Sequence, residues 1–424
     1  MSVKRRWHYG WVIVAVSFIS MFIGLGPRGS FPIFYVAMLE EFHWTRAGTA
    51  GVFSIGMLTA AITMPIVGTL FDRYGPKLLM GIGSVVLALG LAAASRTGDI
   101  WQLYISYGIV VTAGMSCVSV VPHTAIITNW FTTRSGRAIG LATSGMGGSY
   151  AIAILSQYVT SNYGWRNGYL VLGILVAVIV LPLVLAFQRL RTPSPSASGE
   201  RAGERSTAMP APQGQRLEKG NPPGKAGEGW TLRRAMRTSR FWMVFLAFFL
   251  SGYASFLIGT HQVAFNVDMG YSQFLAASMV GLFGIVNTFG RMGGFLSDRI
   301  GREGAYSMGA GGSAVAIMLL LLARNPLNPF FLYGWALLFG LGIGLMGPSI
   351  LATTADLFKG RHLGAIIGFM GLGFNAGGAL GPWVGGYIYD VLGKYDTAFY
   401  SAIAAAVLSA MFIWVAAPRK ARRE

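Results

Sequence analysis

Apolar residues fall in long runs along this chain, separated by short breaks rich in charge, glycine and proline. Each run is at least about 20 residues, the length a helix needs to cross a hydrocarbon core of about 30 Å. The pattern predicts twelve spans, at 9–36, 46–70, 78–95, 100–128, 136–160, 166–188, 240–266, 273–297, 304–323, 329–356, 362–388 and 397–417. Residues 189–238 break the rhythm: rich in Pro, Gly, Ser, Arg and Glu, with almost no large apolar side chains, they cannot bury a core and predict a flexible basic linker. The chain therefore divides into an N-terminal six-helix bundle (1–188), the linker (189–238) and a C-terminal six-helix bundle (239–424). The first span is too long for a signal peptide and lacks its small-residue cleavage site, so it is expected to stay in the mature protein.

An internal repeat supports the six-plus-six division. GTLFDRYGPK at 68–77 is matched by GFLSDRIGRE at 294–303, and GRAIG at 136–140 by GAIIG at 364–368. Such self-similarity marks two copies of one unit related by pseudo-two-fold symmetry. The expected fold class is an all-α membrane protein with twelve transmembrane helices in two six-helix bundles.

Charge sets the orientation. Of the 33 Lys and Arg, only Arg46, Arg96, Arg166, Arg324 and Lys394 fall on one side, and Arg28 and Arg291 lie within spans. All the others gather in the two tails, the linker and the loops of Arg73, Arg134, Arg299 and Arg361. The excess of positive charge predicts that both termini are cytoplasmic and that the protein is a multi-pass component of the cell's inner or plasma membrane. Composition agrees: 11% of residues are charged and 54% hydrophobic, where a soluble domain carries roughly 25% charged. An enzyme is disfavoured, because no nucleophile, base and orienting group occur together. The single cysteine, Cys117, cannot form an internal disulfide, and the five histidines lack metal-ligand spacing, so no metal or cofactor is expected. A net charge of +18 would suit nucleic acid only if the basic residues shared a face with aromatic ones; here they flank apolar runs, so the partner is the lipid bilayer and no nucleic acid is expected.

The pattern G-x-x-x-D-R-x-G-x-[KR] at 68–77, with its looser copy at 294–303, resembles the signature loop of the major facilitator superfamily. More narrowly, HYGWVIV at 8–14, GPRGSFPIFY at 26–35, NWFTTRSGRAIGLATSGMGG at 129–148 and NYGWRNGYLVLG at 162–173 are similar to the monocarboxylate transporters and the related oxalate/formate exchangers. The resemblance implies two bundles rocking about a midplane site. It places the family's substrate-binding arginine on Arg291 and its basic first-span residue on Arg28. It also gives Asp72, Arg73 and Asp298 a gating role between the bundles, for which the alternative is a plain solvated turn. Two departures stand out: the animal transporters' first-span lysine is Arg28 here, and their aspartate one turn before the arginine is Asn287. The exchangers' lysine in the eleventh span has no counterpart near Phe374.

Elementary energetics points to the same residues. An ionisable group in hydrocarbon costs about 2.5–3.5 kcal/mol or more, so Arg291 needs a partner or an aqueous cavity, or must snorkel to the surface. Guanidinium matches a carboxylate with a planar fork and stays charged at any physiological pH. Arg28 lies between Pro27 and Pro32, where the helix is interrupted, and is either a second anion contact or an interface snorkel. Asn287, one turn before Arg291, either touches substrate or orients the guanidinium. His123 and His261 are candidate proton carriers or buried, hydrogen-bonded histidines. Asn375, in a glycine-rich span, is a candidate contact or a packing residue.

All fifteen carboxylates lie in tails, loops or span ends, which predicts a net-positive cavity. The expected function is alternating-access, proton-coupled symport of a small organic monoanion of the lactate or pyruvate type. The proton then travels on a histidine, on Asp268 or on the substrate acid. Alternatives are a carboxylate exchanger and a transport-inactive membrane sensor. A monomer is expected, since each chain carries both bundles.

Overall fold

The computed structural model describes residues 3–131, 135–190, 230–293, 296–360 and 362–416, and it is almost wholly helical. The spanning helices are α1 (Tyr9–Phe42), α2 (46–74), α3 (76–94), α4 (Ile100–Trp130), α5 (Gly136–Tyr163), α6 (Trp165–Phe187), α7 (Ser239–Asp268), α8 (Gln273–Met292), α9 (Arg302–Leu322), α10 (Phe330–Leu357), α11 (Leu363–Leu392) and α12 (Asp396–Ala416).

Helices α2 and α3 form one continuous stretch of 49 residues, Arg46–Ala94. At 1.5 Å per residue this would reach about 73 Å, more than twice the bilayer. Gly75 resolves the excess: its φ of 75° and ψ of 169° lie where only glycine is at ease, so the chain reverses there and Pro76 opens the next helix. The eleven continuous apolar stretches are thus twelve spans. Oxygen-bearing side chains set several starts: Thr45, Thr238 and Ser272 accept from the N–H groups of Gly48, Phe241 and Leu275.

Three departures from the sequence reading bear on the site and its surroundings. Helix α1 does not stop near residue 36 but continues through Glu40 and Glu41 to Phe42. Helix α8 ends at Met292, capped by Gly293, rather than running to 297, so Arg291 sits in its last turn. The linker is not structureless to residue 238. Residues 191–229 lie outside the described residues, but Leu232–Met236 form a short helix with Ala235 fully buried, and Trp230 packs edge-on against Phe358. Trp230, Leu232, Ala235 and Met236 supply enough apolar surface to hold that segment against the second half.

The two halves meet along α2·α11 and α5·α8. On the side away from the termini they are in close contact: Gly386 of α11 is so near Arg46 and Ala47 that any side chain would collide with their backbone. Nearer the middle of the spans, Gly147 of α5 abuts Thr288 of α8, and Thr288 Oγ1 donates to the Ser144 carbonyl at 3.4 Å. Towards the termini these contacts stop. Among the described residues, no neighbouring helix comes within 4 Å of where a side chain would begin at Gly68, Gly136, Gly140, Gly364, Gly368 or Gly371. The halves are closed on the far side and parted on the side of the tails.

Candidate functional site

Where the halves part, they enclose a cavity of ≈ 320 Å³ lined from both sides. Among the described residues, Arg28 and Arg291 are its two charged ones, and no carboxylate lines it. Helix α8 brings Arg291 there: the side chain leaves the last turn, where the helix's partial negative charge favours a cation. Its Nε donates to Asn287 Oδ1 at 3.0 Å, while Asn287 Nδ2 donates to the Gly340 carbonyl at 3.4 Å. Asn287 is 3% exposed, so its amide is fixed by α10 on one side and aims the guanidinium on the other. The terminal Nη groups of Arg291 have no protein acceptor among the described residues.

Arg28 reaches the cavity because α1 is broken beside it. Leu25 leaves helical geometry with ψ near −1°, and Pro27 and Pro32 remove two backbone donors. Tyr107 Oη donates to the Pro27 carbonyl at 2.9 Å and steadies the break. The Arg28 guanidinium lies over the Phe256 ring, 4.8 Å from its centroid, and Nη2 donates to Met57 Sδ at 2.8 Å. Asn375 also lines the cavity, its Nδ2 turned back to the Gly371 carbonyl at 2.8 Å.

The histidines lie elsewhere, which corrects their expected place in the substrate site. His123 is fully buried inside the first half, with Nδ1 3.4 Å from Gln188 Nε2, and does not line the cavity. His261 belongs to the far-side closure: Nε2 donates to the Pro382 carbonyl at 2.7 Å, and Nδ1 accepts from Tyr395 at 3.1 Å. Both ring nitrogens are thereby satisfied in the neutral form, and these bonds hold the ring in the closure. Of the gate residues, Asp72 is exposed with no ion pair or hydrogen bond among the described residues, and Arg73 stacks over Tyr74. Their loop lies on the parted side. The side chain of Asp298 lies outside the described residues, as do Arg134 and Arg361.

Sequence reasoning missed the far-side closure. Arg46, at the start of α2, makes a two-pronged pair with Asp268 at the end of α7, at 2.8 and 2.9 Å. It also donates to Tyr395 Oη at 2.6 Å and lies 3.6 Å from the Tyr389 ring centroid. Asp390 accepts from the backbone N–H groups of Arg46 and Ala47, both at 2.8 Å, as a carboxylate does at a helix N-terminus. Burial pushes the Tyr395 phenol above its ordinary pKa, so it serves as an intact hydroxyl. Only the lone charges at span ends hinted at these pairings, whose partners are more than two hundred residues apart in the chain.

The family model of the Major Facilitator Superfamily matches residues 11–357 and 292–424. The chain belongs to this superfamily. Among similar proteins, Monocarboxylate transporter 13 of Bos taurus is 25% identical over 395 residues, covering 92% of this chain and 85% of the relative. Monocarboxylate transporter 2 of Homo sapiens is 22% identical over 426 residues, covering 96% and 84%. The uncharacterized MFS-type transporter YcxA of Bacillus subtilis is 24% identical over 403 residues, covering 91% and 90%. The crystal structure of the nucleoside transporter NupG superposes with a TM-score of 0.71 at 12% identity, covering 96% of this chain and all of that one, and shows the shared fold. This major facilitator protein is therefore a multi-pass membrane transporter related to the monocarboxylate transporters, and not an enzyme. Its cavity lies between its two halves, as alternating access requires.

Proposed function

We propose that the protein carries small organic monoanions, of the lactate or pyruvate type, together with protons. The observation that carries this reading is the Arg291 guanidinium, aimed by Asn287 into a cavity between the halves that holds no carboxylate. A carboxylate there meets a planar fork of donors, and closure of the tail side removes water from the pair, strengthening it. The far-side lock and parted tail side correspond to the state open to the cytoplasm, with both termini cytoplasmic in the cell membrane and the monomer as the working unit. With the two span histidines away from the cavity, the proton travels on the cargo acid or through Asp268 at the far-side lock.

The test is uptake into proteoliposomes. Acidification outside should stimulate lactate or pyruvate entry, and Arg291→Ala should reduce it at least a hundredfold, because a buried charge pair loses one member. Uptake indifferent to that substitution removes Arg291 from the site. The presence of Arg28 in the same cavity favours a second reading, carboxylate exchange, in which preloaded vesicles accelerate uptake and a proton gradient alone does not.

A further inference from the structure

A second, smaller void of ≈ 40 Å³ opens beside the main cavity, inside the first half among α1, α2 and α4. Leu25, Arg28, Phe53 and Met64 line both voids, so the two are neighbours with Arg28 at the junction. The deeper wall is Met57, Ala60 and Met115, together with the hydroxyl residues Thr112, Ser116 and Ser119. Those hydroxyls are turned away to backbone carbonyls: Thr112 to Tyr107 at 3.2 Å, Ser116 to Thr112 at 3.0 Å and Ser119 to Ser116 at 2.7 Å. Tyr107 is likewise spent on Pro27. The chamber is thus apolar in effect. A trapped water needs two to four polar partners, whereas an apolar void of this kind accepts apolar groups. Tyr107, which touches the chamber, belongs to a π-helical stretch, Tyr104–Val111, a distortion common at functional sites.

We infer that this chamber is a subsite for the cargo's tail, and that the preferred cargo is a monocarboxylate bearing an aliphatic chain longer than that of lactate. The inference rests on the carboxylate reading above. The anion is held by Arg291, and the chain passes the face of Arg28, which Phe256 and Met57 already clothe in apolar surface. At about 25 Å³ per carbon, the ratio at which a cavity of about 150 Å³ holds benzene, the chamber takes one or two methylenes. Methionines at its wall adapt to chains of differing shape.

Calorimetric titration of the purified full chain with straight-chain acids from acetate to octanoate tests this. Each methylene that enters the chamber should lower Kd about fourfold, for one or two methylenes, with a plateau beyond. Ala60→Leu fills the chamber and should flatten that dependence, while Met115→Ala enlarges it and should carry the gain to longer chains, so one variant remains informative if the other fails to fold. A length-independent Kd in the wild type, or an unaltered slope in the folded variants, overturns the subsite alone. Absence of binding by every acid overturns the carboxylate reading and the subsite with it.

Discussion

A guanidinium in a membrane interior is stable only when something satisfies its donors, and Arg291 has one protein acceptor among the described residues, Asn287. That single bond fixes the Nε edge and leaves the Nη edge for a ligand. Replacing Asn287 by Ala keeps the charge but lets it swing, and KM should rise about tenfold, the cost of one charge-assisted hydrogen bond of about 1.4 kcal/mol. Asn287→Asp should act differently. The new carboxylate would pair with Arg291 and compete with the cargo until protonated, so uptake should fall at neutral pH and recover on acidification. Initial uptake rates of both variants between pH 5 and 8 separate the two effects, and parallel pH profiles would show that Asn287 does not orient the arginine. Lysine at 291 is a poor substitute for the same geometric reason, since its single ammonium cannot present the planar fork.

At the scale of elements, breaks in helices place the site. Pro27 and Pro32 turn Arg28 inwards, Gly293 ends α8 just after Arg291, and Gly75 divides the longest helical stretch into two spans. Gly75→Ala should cost about 1–3 kcal/mol, the penalty of a side chain in that backbone region. The purified variant should therefore melt several degrees lower; an unchanged Tm would mean the loop relaxes to another conformation. The spans themselves were legible in the sequence because apolar length is a direct readout of bilayer thickness, and Arg28 and Arg291 because charge in such a run is conspicuous. The early end of α8 was not legible, since glycines are plentiful throughout these spans and rarely stop them. Nor were Phe256, Met57 and Tyr107, whose residue types look like ordinary core until the helices are assembled. His123 and His261 misled for a related reason: a polar ring in a span signals a hydrogen bond, and its position in the chain does not say whether the partner is cargo or a neighbouring helix.

For the whole molecule, the conformation follows from which end holds the halves together. On the far side the lock combines the Arg46–Asp268 pair, the Asp390 cap on α2, and the Gln273 bonds to Glu40 at 3.1 Å and Gln157 at 3.2 Å. On the tail side, among the described residues, no comparable pairing joins α2 to α11 and Asp72 has no partner. Alternating access requires that this asymmetry reverse, so the lock must be strong enough to close and weak enough to open. Asp268 faces Arg46, Tyr389 and Tyr395, with Glu40, Arg324, Lys394 and Asp396 lining the adjoining clefts. The Asp268 carboxylate is the charge that holds Arg46, so its loss frees α2 from α7 and should favour opening on the far side. Asp268→Asn removes that charge: a cysteine introduced on the far-side face of α11 should become severalfold more reactive to an impermeant maleimide. Arg46→Ala should share this effect. Cysteine reactivity unchanged in both variants would mean that the packing of Gly386 against Ala47, rather than the ion pair, keeps the far side shut.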